Sequence, residues 1–430
     1  MSGRETLVRG GRAFDPGSGL DAPADVLVRD GRVAAIGRDL PAGSGTRVLD
    51  ARGCLVLPAF TDLHVHLREP GGEESETVAT GTAAALAGGF ACIYAMPNTN
   101  PTADRPEVIR HVLEAAARAG PCEVVPVSAI TEGLRGRALV DFRAQRAAGA
   151  GAFSDDGAWV ASDDVARGAF RAAGEDGFLV MEHCEDFGVT GPGLLHDAAA
   201  TRAAGIPGIP RAAEDRATGR DLELAAEHGA RLHLCHVSTA GAVERLRAAK
   251  AARLPVSGEV TPHHLVLTVD DAVRGGPDFK MKPPLREASD VDALVAALED
   301  GTLDAIGTDH APHAEAKKAQ GLARAPFGAI GLETAFPVLY TRLVRAGRLS
   351  LRRLVDALVQ GPARVARREP FALRVGAPAR VAVVDVEKTA VVDRNALRSK
   401  SRNCPFHGWP LTGWTRFTVV GDAVVDVASG

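Results

Sequence analysis

His64 and His66 are separated by one residue in the run DLHVHLR at 62–68. Because successive side chains of a strand point to opposite faces, residues two apart share a face, so both imidazoles can reach one metal ion. A lone histidine is more often a packed ring satisfied by hydrogen bonds. For a pair on one face at the end of a strand, the spacing favours metal ligands.

Further imidazoles and carboxylates follow other short apolar runs along the chain. These residues are Asp155, Asp156, His183, His236 and Asp309. Taken singly, they are typical of helix caps, packed rings and turns. Together, four histidines and one or two carboxylates exceed the ligand set of one tetrahedral zinc and suit two ions that share a bridging water. Such a centre hydrolyses amides, and we interpret Asp309 as the group that transfers the proton.

Three polar residues near these positions indicate an anionic small-molecule substrate. Arg68 lies two residues beyond His66, on the same predicted face, where its guanidinium can clamp a carboxylate with two hydrogen bonds. Asn98 supplies an amide, and His313, four residues beyond Asp309, supplies a donor. The alternatives are a surface ion pair, a turn asparagine and a solvent-facing histidine. The shared location favours a substrate site.

Eight apolar runs, each followed by a helical pattern, predict the elements that position these residues. The runs begin near Leu55, Phe90, Glu123, Gly151, Leu179, Arg231, Pro255 and Leu303. This alternation predicts an α/β fold, a (β/α)8 TIM-like barrel, whose chemistry lies at the carboxyl ends of the strands. Both ends of the chain are rich in short β-like runs with turn pairs. We therefore expect a barrel over residues 55–365 and a small β-sandwich domain formed by residues 1–54 and 366–430.

The composition limits the classes of partner. The chain has 430 residues and a formal net charge of -4, too balanced for a general nucleic-acid binder. No apolar stretch approaches the roughly 20 residues that a membrane helix needs, and the first residues lack a signal peptide's apolar core. The six cysteines form no CxxC pair. We expect a soluble, cytoplasmic enzyme without nucleic-acid or membrane partners.

Several motifs in chain order resemble the dihydroorotases of the amidohydrolase superfamily. They are DLHVHLREPG at 62, MPNT at 96, FSDDG at 153, EHCED at 182, CHVST at 235, TPHHL at 261, GTDHAPH at 307, FGAIGLET at 327 and SKSRNCPFHGWPLTG at 399. The resemblance implies reversible closure of N-carbamoyl-L-aspartate to L-dihydroorotate in pyrimidine synthesis. It also implies two zinc ions per chain, and it leads us to expect a homo-oligomer and an association with aspartate transcarbamoylase.

The same resemblance assigns roles to individual residues. It implies that His64 and His66 hold one zinc, that His183 and His236 hold the other, and that Asp156 bridges them. Asp309 would be both a ligand and the acid/base. The substrate residues would be His66, Arg68, Asn98, Lys282, His313, and the backbone at Phe327 and Gly328. Lys282 is a departure, since the family has an asparagine there; it is either a contact to an anionic substrate or a solvated flank.

Two other functions compete with this interpretation. Hydantoinases and dihydropyrimidinases share the paired histidines and the late aspartate, but they commonly bridge their metals with a carbamylated lysine on the fourth strand. The first lysine of this chain is Lys250. A non-catalytic barrel that serves as a scaffold for the transcarbamoylase should have lost metal ligands. None is missing here, so the sequence favours the enzyme.

Overall fold

The computed structural model describes residues 5–427 of the chain. The first strands of this segment are β1 (Glu5–Asp15), β2 (Leu20–Arg29), β3 (Arg32–Gly37), β4 (Arg47–Asp50) and β5 (Cys54–Pro58). They belong to a mixed sheet that the end of the chain completes.

The middle of the chain forms the barrel. Its strands are β6 (Phe60–Val65), β7 (Phe90–Ala95), β8 (Glu123–Ser128), β9 (Ala152–Phe153), β10 (Leu179–Glu182), β11 (Leu195–His196), β12 (Gly208–Ile209), β13 (Arg231–Leu234), β14 (Val256–Val260) and β15 (Ala305–Ile306). All except the separate pair β11–β12 make one parallel sheet, in the order β15-β14-β13-β10-β9-β8-β7-β6. A parallel bridge between Val65 and His310 brings β6 against the segment after β15 and closes the ring.

Helices follow the barrel strands and cover them. They are α1 (Val78–Ala87), α2 (Pro106–Ala119), α3 (Phe142–Ala148), α4 (Asp163–Asp176), α5 (Phe187–Thr190), α6 (Ala199–Ala203), α7 (Ala212–His228), α8 (Ala240–Ala251), α9 (Pro262–Val266), α10 (Val269–Gly275), α11 (Ala288–Glu299), α12 (Glu315–Lys318), α13 (Ala335–Leu339), α14 (Leu351–Leu358) and α15 (Gln360–Ala366). Several begin at a side-chain cap: Thr239 Oγ1, for example, accepts a hydrogen bond from Ala242 N at the start of α8. Within residues 5–427, no helix combines the length and apolar character needed to cross a bilayer.

The last strands complete the terminal sheet. They are β16 (Arg380–Val391), β17 (Pro410–Val420) and β18 (Ala423–Asp426). Strand β5 joins the two ends of the chain, because it pairs with β1 on one side and with β16 on the other. This sheet buries a core of its own, which includes Val26, Val56 and Val383. The predicted fold class, a (β/α)8 barrel with a β unit built from both termini, is confirmed.

The start of the barrel differs from the predicted strand position. The run at 55–60 is not one barrel strand: Leu55 pairs with Val384 in the terminal sheet, and the first barrel strand begins at Phe60. The expected boundary at residues 54 and 55 therefore falls inside β5. Every residue of β5 is buried, so the sequence carries no alternation that distinguishes two consecutive strands from one. The other barrel strands begin within two residues of their predicted starts.

Candidate metal centre and active site

A cavity of about 280 Å³ opens at the carboxyl ends of the barrel strands. It is lined by His66, Arg68, Asn98, Asp156, Gly157, His183, His236, Lys282, Asp309, Ala311, His313, Phe327 and Gly328. Every predicted site residue except His64 is among them, and His64 is completely buried beside Asp156 and Asp309. The structure therefore brings together all of the residues that the sequence singled out.

Three residues of this group have left-handed backbones. Arg68 has φ 61°, Asp309 has φ 45° and His236 has φ 35°. For a residue with a Cβ, such a conformation costs on the order of 1–3 kcal/mol and persists where the surroundings enforce it. The strain therefore coincides with the predicted chemistry.

The first pair of imidazoles faces two carboxylates. His64 Nε2 lies 3.3 Å from Asp156 Oδ1 and 3.7 Å from Asp309 Oδ1. His66 Nε2 lies 3.0 Å from Asp309 Oδ1 and 3.5 Å from Asp156 Oδ2. Asn98 orients this arrangement, because its Oδ1 is 2.8 Å from His66 Nδ1 and its Nδ2 donates to Asp156 Oδ2.

The second pair of imidazoles lies across Asp156. His183 Nδ1 and His236 Nε2 are 2.9 Å apart, and each is 3.7 Å from Asp156 Oδ1. The far nitrogen of His183 is 2.7 Å from Glu185 Oε2. Because a carboxylate only accepts, His183 Nε2 carries a proton and donates it to Glu185, while Nδ1 faces His236 and Asp156.

The donor set fits divalent cations. His64 Nε2, Asp156 Oδ1 and His236 Nδ1 are buried and have no hydrogen-bond partner among the residues that the structure describes. Two triads also have ligand atoms within 4.8 Å of one another: His64, Asp156 and His236, and His64, His66 and Asp309. Buried polar atoms without partners are costly, and imidazole with carboxylate is the donor set of zinc. The residues present therefore suit a metal centre.

The electrostatics of the site favour a cation. Burial opposes the charged form of His64, but the charge of Asp156 prevails and holds the pKa of His64 well above its usual value. Burial likewise opposes the charged forms of Asp156 and Asp309, yet the surrounding imidazoles hold the pKa of each well below normal. Both carboxylates are therefore anionic at neutral pH, the form in which a carboxylate binds a cation.

Asp155 and Asp156 point in opposite directions at the end of β9. Asp155 accepts hydrogen bonds from Ile130 N, Thr131 N and Thr131 Oγ1. Its side chain therefore caps the loop after β8. Burial raises the pKa of Asp155. Of the two acids, Asp156 alone faces the imidazoles.

One wall of the cavity carries the predicted substrate residues. Arg68 Nε donates to Pro312 O at 3.2 Å, which fixes the plane of the guanidinium. Within residues 5–427, no carboxylate oxygen approaches the Arg68 guanidinium within the 4.0 Å of an ion pair. His313 Nε2 donates to Phe327 O at 2.7 Å, and burial, aided by the charge of Arg68, lowers the pKa of His313 to about 2. The wall thus presents an unpaired cation beside a neutral imidazole.

Lys282 lies on the opposite side. Its Nζ is 3.4 Å from Glu185 Oε1 and stands over the rings of Phe187 and Phe327, 4.3 and 5.1 Å from their centroids. Its side chain is 21% exposed. The ammonium therefore reaches the cavity, but it already has an anionic partner.

Comparison with known proteins identifies the family. The family model described as "Dihydro-orotase-like" matches residues 53–242. A dihydroorotase of Anaeromyxobacter dehalogenans is 49% identical over 421 residues, covering 97% of each chain. The dihydroorotase of Bacillus caldolyticus is 44% identical over 400 residues, covering 93% of this chain and 94% of the relative. The chain belongs to the dihydroorotase family. It is therefore a hydrolase that acts on a cyclic amide.

Solved structures extend the family likeness to the amidohydrolase fold. The L-hydantoinase (dihydropyrimidinase) of Arthrobacter aurescens superposes with a TM-score of 0.87 at 29% identity, covering 98% of this chain and 96% of that one. The D-hydantoinase (dihydropyrimidinase) of a Thermus species gives a TM-score of 0.82 at 26% identity, covering 97% and 94%. The dihydroorotase family thus shares its barrel with enzymes that carry other names.

Sequence reasoning missed residues that hold this dihydroorotase-family site together. Glu259 contacts the buried nitrogen of His64, and Glu185 contacts that of His183. Asn403, from the terminal unit, donates to Ala311 O and Gly328 O. Glu259 could have been noticed as a glutamate inside an apolar strand. Nothing in the sequence marked Asn403 apart from its place in the C-terminal motif that resembles the family.

His196 is a buried histidine that the sequence reasoning did not identify. It is 1% exposed, and its Nδ1 lies 3.1 Å from the guanidinium of Arg286 and 3.2 Å from Ile209 O. The short strand pair β11–β12 covers it, and such a two-residue pair has no periodicity to reveal it in the sequence.

Proposed function

We propose that this enzyme interconverts N-carbamoyl-L-aspartate and L-dihydroorotate with the help of two zinc ions. One observation carries the proposal: a single cavity joins a cluster of imidazoles and carboxylates to an unpaired guanidinium at Arg68. The cluster suits attack on an amide, and the guanidinium suits a substrate carboxylate. L-dihydroorotate has both groups on one small ring.

The proposed ligands follow from the contacts. His64 and His66 would hold one ion and His183 and His236 the other. Asp156, which lies within 3.7 Å of all four imidazoles, would bridge the ions. Asp309 would be a further ligand of the ion held by His64 and His66. When bound, the ions would polarise the amide carbonyl and bring the pKa of water toward neutrality.

Asp309 is the group that we propose moves the proton. Its low pKa makes it a carboxylate at neutral pH, and it lies at the cavity surface beside His66 Nε2. Asp309 would accept a proton from the attacking water and return it to the ring nitrogen as the amide opens. In the closing direction it would carry the same proton back.

The remaining residues would orient the substrate. Arg68, Asn98 and His313 would bind the ring carboxylate, with His66 and Lys282 at the edges of the same space. His313 would do so by turning its Nε2 proton from Phe327 O to the substrate. Gly328 N already donates to Lys280 O at 2.8 Å. Contact with the ring amide would therefore use carbonyl oxygens of Phe327 and Gly328, each of which retains a second lone pair.

Hydantoin or dihydropyrimidine hydrolysis is the second candidate, favoured by the structural likeness to hydantoinases. Two features argue against it. The end of β9 carries Asp156, and no lysine precedes Lys250 that could be carbamylated there. The rings of hydantoin and dihydropyrimidine carry no carboxylate, so the unpaired Arg68 in the cavity would have no partner on such a substrate.

Metal analysis combined with a ring-opening assay tests the proposal. The purified chain is freed of metal by a chelator, refilled with zinc, and assayed on L-dihydroorotate in both directions. We expect about two zinc ions per chain and activity that follows zinc content. A protein that is active without metal, or that holds zinc tightly but never opens the ring, would refute it.

We also propose the cellular setting that the sequence suggested. The enzyme would act in the cytosol as a homo-oligomer, in association with aspartate transcarbamoylase.

The terminal sheet with its own core supports the division into a β unit and a barrel. Sedimentation of the purified chain, alone and with the transcarbamoylase, tests the oligomer and the association.

A further inference from the structure

Glu259 is a carboxylate buried within the barrel beneath the cavity. It lies on β14 and has no exposed surface. Its Oε1 is 3.0 Å from His64 Nδ1, and its Oε2 is 3.2 Å from His233 Nε2. In the described part of the chain, neither lysine nor arginine comes within 4.0 Å of it. Its only ionic partners are thus two imidazoles.

This contact fixes the protonation of His64. An ionised carboxylate accepts hydrogen bonds and donates none, so Nδ1 of His64 must carry a proton. Nε2 faces Asp156 and Asp309, and in the neutral ring that binds a metal Nε2 carries the lone pair. That tautomer is the one a metal ligand needs, and the contact also sets the rotation of the ring.

The second carboxylate oxygen of Glu259 faces a histidine on another barrel strand. His233, on β13, has Nε2 3.2 Å from Glu259 Oε2, outside hydrogen-bond geometry, and Nδ1 2.8 Å from Ser257 Oγ on β14. His64 is on β6, which only β15 separates from β14 in the closed ring of strands. Glu259 therefore links β14 to β6 across β15 and also lies beside its neighbour β13.

A glycine leaves the space that this carboxylate occupies. A Cβ at Gly307 would lie 2.4 Å from Glu259 Oε2 and 2.7 Å from Oε1, far inside van der Waals contact. The backbone of Gly307 is not in the left-handed region, so its conformation does not require glycine. Space for Glu259 is the requirement, two residues before Asp309.

We propose that Glu259 is a positioning residue of the metal centre, and that Gly307 is glycine to admit its carboxylate. Glu259 holds His64 in the ligating tautomer and adds one negative charge beneath two cations. The inference rests on the proposed metal centre. Glu259 itself would not contact the substrate.

Glu259→Gln tests the inference by zinc affinity. Glutamine has the same shape but no charge, and only one of its two terminal atoms can accept a hydrogen bond, so the anion beneath His64 is lost. Competition with a chromogenic chelator should show zinc binding about 10- to 100-fold weaker than in the wild type. Asp155→Asn is the matched control, because it neutralises another buried acid at a strand end that contacts none of the imidazoles; its zinc affinity should stay within about twofold of the wild type.

Zinc affinity of Glu259→Gln equal to that of the wild type would overturn the inference while leaving the centre intact. Failure of the wild type itself to bind zinc would instead refute the proposed function. Nitrogen-15 NMR of labelled histidine adds a direct observation: the proton of His64 should sit on Nδ1 in the wild type and redistribute in the variant. A proton on Nε2 in the zinc-loaded wild type would contradict the proposal.

Gly307→Ala keeps the test available if Glu259→Gln fails to fold. Alanine at this position should displace the carboxylate and weaken zinc binding. In a Glu259→Ala background, where the space is empty, the same substitution should add little further loss, so the two effects should be non-additive. Additive losses would show that Gly307 serves another purpose and would overturn its assignment.

Discussion

Replacing Arg68 by lysine keeps the positive charge and removes the planar pair of N–H donors that a guanidinium presents. Arg68 Nε donates to Pro312 O, which leaves the terminal N–H groups of the guanidinium to face the cavity. A substrate carboxylate can take two parallel hydrogen bonds from that edge, and a lysine ammonium cannot reproduce both. Loss of one charge-assisted hydrogen bond costs about 1.5–3 kcal/mol. We therefore expect kcat/KM for L-dihydroorotate to fall roughly 10- to 150-fold, mostly through KM.

The assay is steady-state ring opening of L-dihydroorotate by the zinc-loaded enzyme, with zinc content measured on the same samples. Arg110→Lys is the matched control, since Arg110 is exposed on α2 and, among residues 5–427, forms an ion pair only with Glu107. It should behave as the wild type. An Arg68→Lys enzyme with full zinc and a kcat/KM within twofold of the wild type would refute the substrate clamp. A loss confined to kcat would point to a role near the reacting bond instead.

Two further outcomes follow from the site, and a third follows from Glu333, a buried acid outside it. Asp309→Asn should abolish turnover in both directions while the melting temperature changes little, because an amide cannot carry the proton; near-normal activity at saturating zinc would contradict the assignment. Asp156→Ala should lose at least one zinc and Asp155→Ala should lose none, with no bicarbonate needed for activation; full zinc in the Asp156 variant, or bicarbonate-dependent recovery, would show another bridge. Burial raises the pKa of Glu333 from 4.5 to about 7. The unfolded state loses this proton at lower pH than the folded state, so the unfolding free energy should decrease as the pH rises from about 4.5 to 7. Urea denaturation of Glu333→Gln should not show this decrease. Identical pH profiles for the variant and the wild type would contradict the prediction.

The barrel and the residues around the cavity could be predicted because each signal is local. A short apolar run followed by a helical pattern marks a strand, and the residue directly after the run lies at the rim. His183, His236 and Asp309 were found in this way. The pair at His64 and His66 needed only the two-residue period of a strand.

The supporting contacts could not be predicted because they join distant parts of the chain. Glu259 meets His64 across 195 residues, and Asn403 meets Gly328 across 75. Spacing within a strand says nothing about which buried acid lies opposite a given imidazole. The misplaced strand start at Leu55 has a related cause, since full burial removes the alternation that separates neighbouring strands.

The most direct test of the proposed function is the ratio of kcat/KM for L-dihydroorotate to that for dihydrouracil, a ring of the same kind without the carboxylate. Both substrates offer the same cyclic amide to the imidazoles and to Asp309. Only L-dihydroorotate can use Arg68, whose pair of hydrogen bonds to a carboxylate is worth about 3–6 kcal/mol. We predict a ratio of at least about 100 in the zinc-loaded enzyme. A ratio near or below one would contradict the account and assign the chain to dihydropyrimidine hydrolysis.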